Sequence, residues 1–203
     1  MKRSMMVFLL ACACGSSNGG SNDAGPTTGN GTITGTVGGH GLTVKDAVFG
    51  IDSTTKAMTV VVSDRADLCT ILAGNTLPAG TTTVLAFVLV NYPGGTSLAD
   101  VTTGTYAWFD SSNPVVPSPG LYFDSRFILP TSCTAAATTA ASGGTLHVTQ
   151  AGTAAGTHLK VTLGSIGFGS DSLGGSFEAT YCAAAANPVC GGSALVVRPG
   201  PLQ

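Results

Sequence analysis

Along most of this chain apolar and polar side chains alternate one by one, the pattern of strands that bury one face and wet the other. In LGGSFEATY, Leu173, Phe177, Ala179 and Tyr181 fall on one side, and Ser176, Glu178 and Thr180 on the other. The same period recurs in TITGTV from Thr32, LTVKDAVFGI from Leu42, AMTVVVS from Ala57, TGTYAWF from Thr103, LYFDSRFIL from Leu121, GTLHVTQ from Gly144 and GTHLKVTLG from Gly156. Clusters of Gly, Pro, Asn and Asp separate these segments as turns. TVLAFVLVNY, from Thr83 to Tyr92, is apolar on both faces and predicts a central strand covered on both sides. Its Val and Phe content, with Gly80 and Pro93 at its flanks, argues against a buried helix. The fold class predicted is all-β, an antiparallel β-sandwich or barrel of about 8–10 strands with one short helix.

That helix is expected where Leu68, Ile71 and Leu72 share a face and Gly74 offers a stop, and it is expected to plug one end of the sandwich or barrel. Asp64 and Asp67 precede it with capping-box spacing. Two carboxylates in a first turn fit capping and the helix dipole better than an acid pair for catalysis.

The alternation is absent at the N-terminus, which divides the chain into three parts. Residues 1–14 put Lys2 and Arg3 before a short apolar run that ends in Ala11-Cys12-Ala13-Cys14. A basic tip, an h-region of about seven residues and a small-residue cleavage zone make a secretory signal. A bilayer-spanning helix needs about 20 apolar residues, more than twice this run. Cysteine directly after the zone resembles the lipobox of bacterial lipoproteins. Cys12 follows Leu9-Leu10-Ala11, whereas Cys14 allows a longer apolar segment; both are candidate lipidation sites. Ala11-Cys12-Ala13 is also an A-x-A site for ordinary signal peptidase. The lipobox resemblance implies a diacylglyceryl thioether and an amide-linked acyl chain, and two such signals give stable anchoring. Aspartate after the lipidated cysteine favours inner-membrane retention in that pattern, and Ala13 or Gly15 stands there, which implies the outer membrane. Residues 15–30, GSSNGGSNDAGPTTGN, read as a flexible Gly/Ser/Asn-rich tether with a reach of roughly 20 Å. Residues 31–203 form the single β-domain.

Only 9% of the 203 residues are charged and the net charge is −2, so no basic field exists to collect nucleic acid. Cys69, Cys133, Cys182 and Cys190 are an even number in an oxidising compartment, which predicts two disulfides with three possible connectivities. The long-range pairing Cys69–Cys182 with Cys133–Cys190 is narrowly preferred; Cys182–Cys190 would close a short loop. No C-x2-C spacing supports zinc.

Catalytic motifs are missing: there is no G-x-S-x-G elbow, since the one such string, GSSNG at residues 15–19, falls in the tether rather than between a strand and a helix, and no H-E-x-x-H, Walker loop or dinucleotide fingerprint. A hairpin centred on Gly152 and Thr153 would set His147 opposite His158, a weak candidate metal pair beside Lys160. It would also turn Leu146, Val148, Leu159 and Val161 inward. His40, in GGHG, reads as a hairpin tip, and the Asp171–Ser172 cluster as a turn rather than a calcium loop. Any of the three histidines would serve as a base only with a nucleophile beside it. Tyr106, Trp108 and Phe109 read as core before pocket. No cofactor is indicated.

GTVGGHGLTVKDAVF, SDRADLC, SGGTLHVT and GSFEATYC together resemble uncharacterised bacterial surface lipoproteins of myxobacterial type. The resemblance covers most of the β-domain and implies an exported fold without naming functional residues. The expected function is therefore a non-catalytic binding or structural module, lipid-anchored in the cell envelope, whose protein or small-molecule partner is open. A small-ligand carrier with its ligand in the β-domain interior is the alternative, and a hydrolase the third reading.

Overall fold

The computed structural model describes residues 30–75, 82–95, 97–111, 118–131, 134–190 and 193–194. In chain order the strands are β1 (Asn30–Thr36), β2 (Asp46–Ile51), β3 (Met58–Ser63), β4 (Val84–Tyr92), β5 (Gly104–Trp108) and β6 (Gly120–Thr131). They continue as β7 (Thr134–Ala140), β8 (Gly143–Gln150), β9 (His158–Phe168), β10 (Asp171–Tyr181), β11 (Val189–Cys190) and β12 (Ser193–Ala194). One α-helix, α1 (Leu68–Gly74), follows β3, and a 3-10 turn at Ala183–Ala186 follows β10.

Eight strands close a barrel in the order β10-β2-β3-β4-β6-β5-β8-β9, with β9 returning to β10. Two long strands make closure possible, and each does so in the same way. β10 bonds β9 along one edge; its other edge meets β1 antiparallel, then β2 in parallel at Thr180 and Tyr181. β6 bonds β4 along one edge; its other edge meets β5 in parallel at Tyr122 and Phe123, then β7 antiparallel from Arg126 onward. The barrel thus has two short parallel seams on opposite walls, and β1 and β7 lie outside the ring in equivalent places.

The inward positions explain the period-two pattern. Phe49, Met58, Leu85, Phe87, Tyr106, Phe123, Leu146, Leu159 and Ile166 are fully buried in one cluster. Phe87 of β4 stacks on Phe177 of β10 with ring centroids 5.8 Å apart, and tilts against Phe123 at 6.4 Å. Rings from opposite walls therefore meet in the middle and fill the interior as a close-packed core. β4 is covered on both sides, as its sequence predicts: Val84, Ala86, Val88 and Val90 face outward into a second cluster with Val48, Val61, Leu68, Leu72 and Ile128.

That second cluster corrects the expected place of the helix. α1 does not plug an end; it lies on the outer wall, where Leu68 and Leu72 cover β2, β3 and β4. Its start also differs from the expected capping box. Asp67 is the N-cap residue, in a left-handed conformation (φ 61°), with no side-chain bond to the helix. The first amide, Leu68 N–H, instead donates to Asp46 Oδ2 of β2 at 2.8 Å. Asp64 Oδ1 accepts the Thr83 N–H at 3.0 Å, which ties the end of β3 to the start of β4. Tertiary contact has taken over what local capping would otherwise supply.

β7 was not expected from the sequence. TAAATTA has no large apolar residue to mark a period, and its strand form follows from the edge of β6 that β5 leaves bare.

Candidate functional site

The outward positions of β8, β9, β10 and β1 form a polar wall. Alternation turns Thr145, His147 and Thr149, then Lys160 and Thr162, then Ser176 and Glu178, then Thr32 and Thr34 to the outside. A shallow groove of about 420 Å³ crosses this wall, lined among others by Asn30, Thr32, Thr149, Lys160 and Glu178. Glu178 is its electrostatic centre. On β10 it stands directly between Lys160 of β9 and Asn30 of β1. Its Oε2 is 3.6 Å from Lys160 Nζ, and its Oε1 is 3.0 Å from His158 Nδ1. The latter contact is close but misdirected for a hydrogen bond, so it adds an ion pair only when the imidazole is protonated. Such half-exposed pairs contribute at most about 1 kcal/mol. The wall offers a carboxylate, an ammonium, an amide and several hydroxyls, a mixture suited to hydrogen-bonding polar surfaces.

The histidine pair expected from the hairpin is corrected. The β8–β9 connection does not turn at Gly152 and Thr153; it runs on to a turn in which Thr157 N–H donates to the Ala154 carbonyl at 3.1 Å. His147 is consequently opposite Thr162, and His158 pairs with Thr180 on β10. The register differs by an even number of residues at His147, so Leu146, Val148, Leu159 and Val161 still face inward as expected. Among the described residues no three His, Cys, Asp or Glu side chains converge as metal ligands. His147 has another partner instead: its Nδ1 is hydrogen-bonded to Thr105 Oγ1 of β5 at 3.0 Å, across a directly paired position. Both side chains are exposed on the open wall, outside any cleft that would exclude water from a reacting pair.

The remaining sequence candidates have structural places. His40 ends a tight turn whose two backbone bonds join Val37 and His40 at 2.9 and 3.1 Å; Gly38 and Gly39 supply the positive φ angles it needs. Asp171 Oδ2 accepts the Gly38 N–H at 2.7 Å and so docks this turn beside the start of β10. Tyr106 and Trp108 belong to the interior cluster, whereas Phe109 is on the outer wall, edge-on to Tyr122 at 6.0 Å. They therefore pack with different clusters. The Tyr106 hydroxyl donates to the Thr102 carbonyl at 2.7 Å and accepts its N–H at 3.1 Å, closing the corner before β5. Burial raises its pKa above the ordinary phenol value, against the pull of the Thr102 bonds.

Cys69 and Cys182 are joined in a disulfide with Cα atoms 5.7 Å apart. Cys133 and the side chain of Cys190 lie outside the described residues, as do Cys12 and Cys14.

Two buried carboxylates among the described residues escaped the sequence reading. Asp46 carries the cap of α1; burial, the largest effect, raises its carboxyl above the ordinary 3.8, the amides of Leu68 and Ala47 pull it down, and Asp67 pushes it up. Its Oδ1 has no partner. Asp124, on the outer wall of β6, accepts from Ser111 Oγ and from Arg126 Nη2 at 3.2 Å, with side-chain exposures of 4% and 15% for the ion pair. The only signal for either was a charge at an outward position in a run otherwise rich in apolar residues.

No protein-family profile, curated protein or solved structure matches the chain. Among the described residues no helix is long and apolar enough to cross a membrane.

Proposed function

We propose that this chain is an exported lipoprotein, anchored in the cell envelope through acylated Cys12 or Cys14, whose barrel serves as a non-catalytic binding or structural module. The observation that carries the reading is the N-terminal segment, in which Leu9-Leu10-Ala11-Cys12 follows a basic tip and a short apolar run. The Cys69–Cys182 disulfide supports it, because such bonds persist in oxidising compartments. The packed interior weighs against a carrier with its ligand inside the barrel: the Phe87, Phe123 and Phe177 rings occupy the space a ligand would need. Binding on this reading belongs to the polar outer wall. The family resemblance and the outer-membrane address remain part of the proposal, as does the Cys133–Cys190 bond.

The test is phase partition in Triton X-114 of the full-length chain expressed in a diderm bacterium. The wild type is expected in the detergent phase, with either Cys12→Ser or Cys14→Ser shifting it to the aqueous phase. A wild-type protein found wholly in the aqueous phase overturns the anchor.

The Thr105–His147 contact favours one second reading, a hydrolase with a threonine nucleophile. It predicts turnover of an activated ester such as p-nitrophenyl acetate that is lost in both Thr105→Ala and His147→Ala; equal rates in all three proteins discard it.

A further inference from the structure

Closing this barrel takes eight strands, and β1 is not among them. β1 pairs with β10 alone, and its second edge has no strand partner among the described residues. Every residue of β1 except Ile33 is exposed. Free edges of this kind are ordinarily guarded by charge, proline or a bulge, and NGTITGT has no charge and no proline, while its pairing with β10 runs without a register break from Asn30 to Thr36.

The sequence of the edge also indicates what it fits. Residues 31–35 read GTITG, the same in both directions. Two copies laid antiparallel about Ile33 would place Gly31 opposite Gly35, Thr32 opposite Thr34 and Ile33 opposite itself, with every side chain on its proper face. Cross-strand threonine pairs are favourable, and paired glycines leave nothing to clash. A two-fold axis through Ile33 makes the contact isologous and closed, so association stops at two. Low charge removes most of the repulsion between copies.

We propose that β1 is a self-association edge at which two copies of this chain pair antiparallel about Ile33. The dimer joins β8-β9-β10-β1 of each copy into one continuous sheet and brings the two polar walls side by side. A single strand edge buries less than the ~1,000 Å² of a stable interface, so the contact is weak in free solution. If the chain is lipid-anchored as proposed above, confinement to one membrane raises the effective concentration and favours pairing.

The experiment uses the full-length chain in detergent, with Thr32→Cys and Thr34→Cys made separately. In the dimer these positions face each other across the pair, whereas each is diagonal to its own copy. Mild oxidation of the two variants mixed is expected to yield a peptide linked from 32 to 34, about tenfold above any 32–32 or 34–34 link from either variant alone. The double substitution Thr32→Lys/Thr34→Lys, at exposed positions that leave the core untouched, is expected to weaken dimerisation in sedimentation by about tenfold or more. A monomer at about 100 μM with no 32–34 link overturns the proposal. So does a dimer indifferent to the lysines, or growth into larger assemblies through β7.

Discussion

Cys69 and Cys182 are 113 residues apart in the chain, and their disulfide fastens α1 to the segment that follows β10. The bond therefore joins the covering helix to the last strand of the barrel, across most of the β-domain. In the chain-entropy account a loop of that size stabilises the fold by about 4–5 kcal/mol. The double variant Cys69→Ala/Cys182→Ala is expected to lose roughly this much in urea unfolding while keeping the β-sheet circular dichroism. An unchanged midpoint would mean that the bond does not restrain the unfolded chain.

Gly50 permits the same attachment from the other side. A Cβ built there would lie 2.1 Å from Ala186 N and 2.7 Å from the Cys182 carbonyl oxygen, both backbone atoms that cannot rotate away. The 3-10 turn rests directly on β2 because that side chain is missing. Gly50→Ala is expected to destabilise by about 1–3 kcal/mol and to make the disulfide easier to reduce with dithiothreitol. Wild-type stability and reduction rate would show that the turn is not held there.

Asp46 links folding to pH. Its carboxyl is raised in the folded state, chiefly by burial, so the folded chain holds that proton more tightly than the unfolded chain. The resulting stability is fully present below the ordinary value of 3.8 and is lost as pH rises through the folded value. Asp46→Asn keeps an acceptor for the Leu68 amide and removes the titration. Wild type minus Asp46→Asn stability, from urea curves, should increase as pH falls from about 7 to 4. A flat or opposite trend would contradict the burial of a carboxylate with one unpartnered oxygen at this site.

The strands were legible because their side chains carry the period: Leu173, Phe177 and Ala179 could only be one face of a sheet, and Val84 to Val90 could only be covered twice. What the pattern could not contain was pairing between distant strands. The parallel contact of Tyr181 with Phe49, and that of Trp108 with Phe123, arise from barrel closure and leave no local mark. The wall carrying His147 and Lys160 was legible in its faces but not in its neighbours, since an even shift of register preserves the first and changes the second. Asp46 looked like an ordinary strand residue, and only the fold brings Leu68 to it.

The central claim is the lipid anchor, and the most direct test is the mass of the N-terminal peptide from protein extracted from native membranes. The account predicts a peptide beginning at Cys12 or Cys14 with a diacylglyceryl group and an amide-linked acyl chain. An unacylated peptide beginning at Cys14, or one retaining Met1, would contradict it.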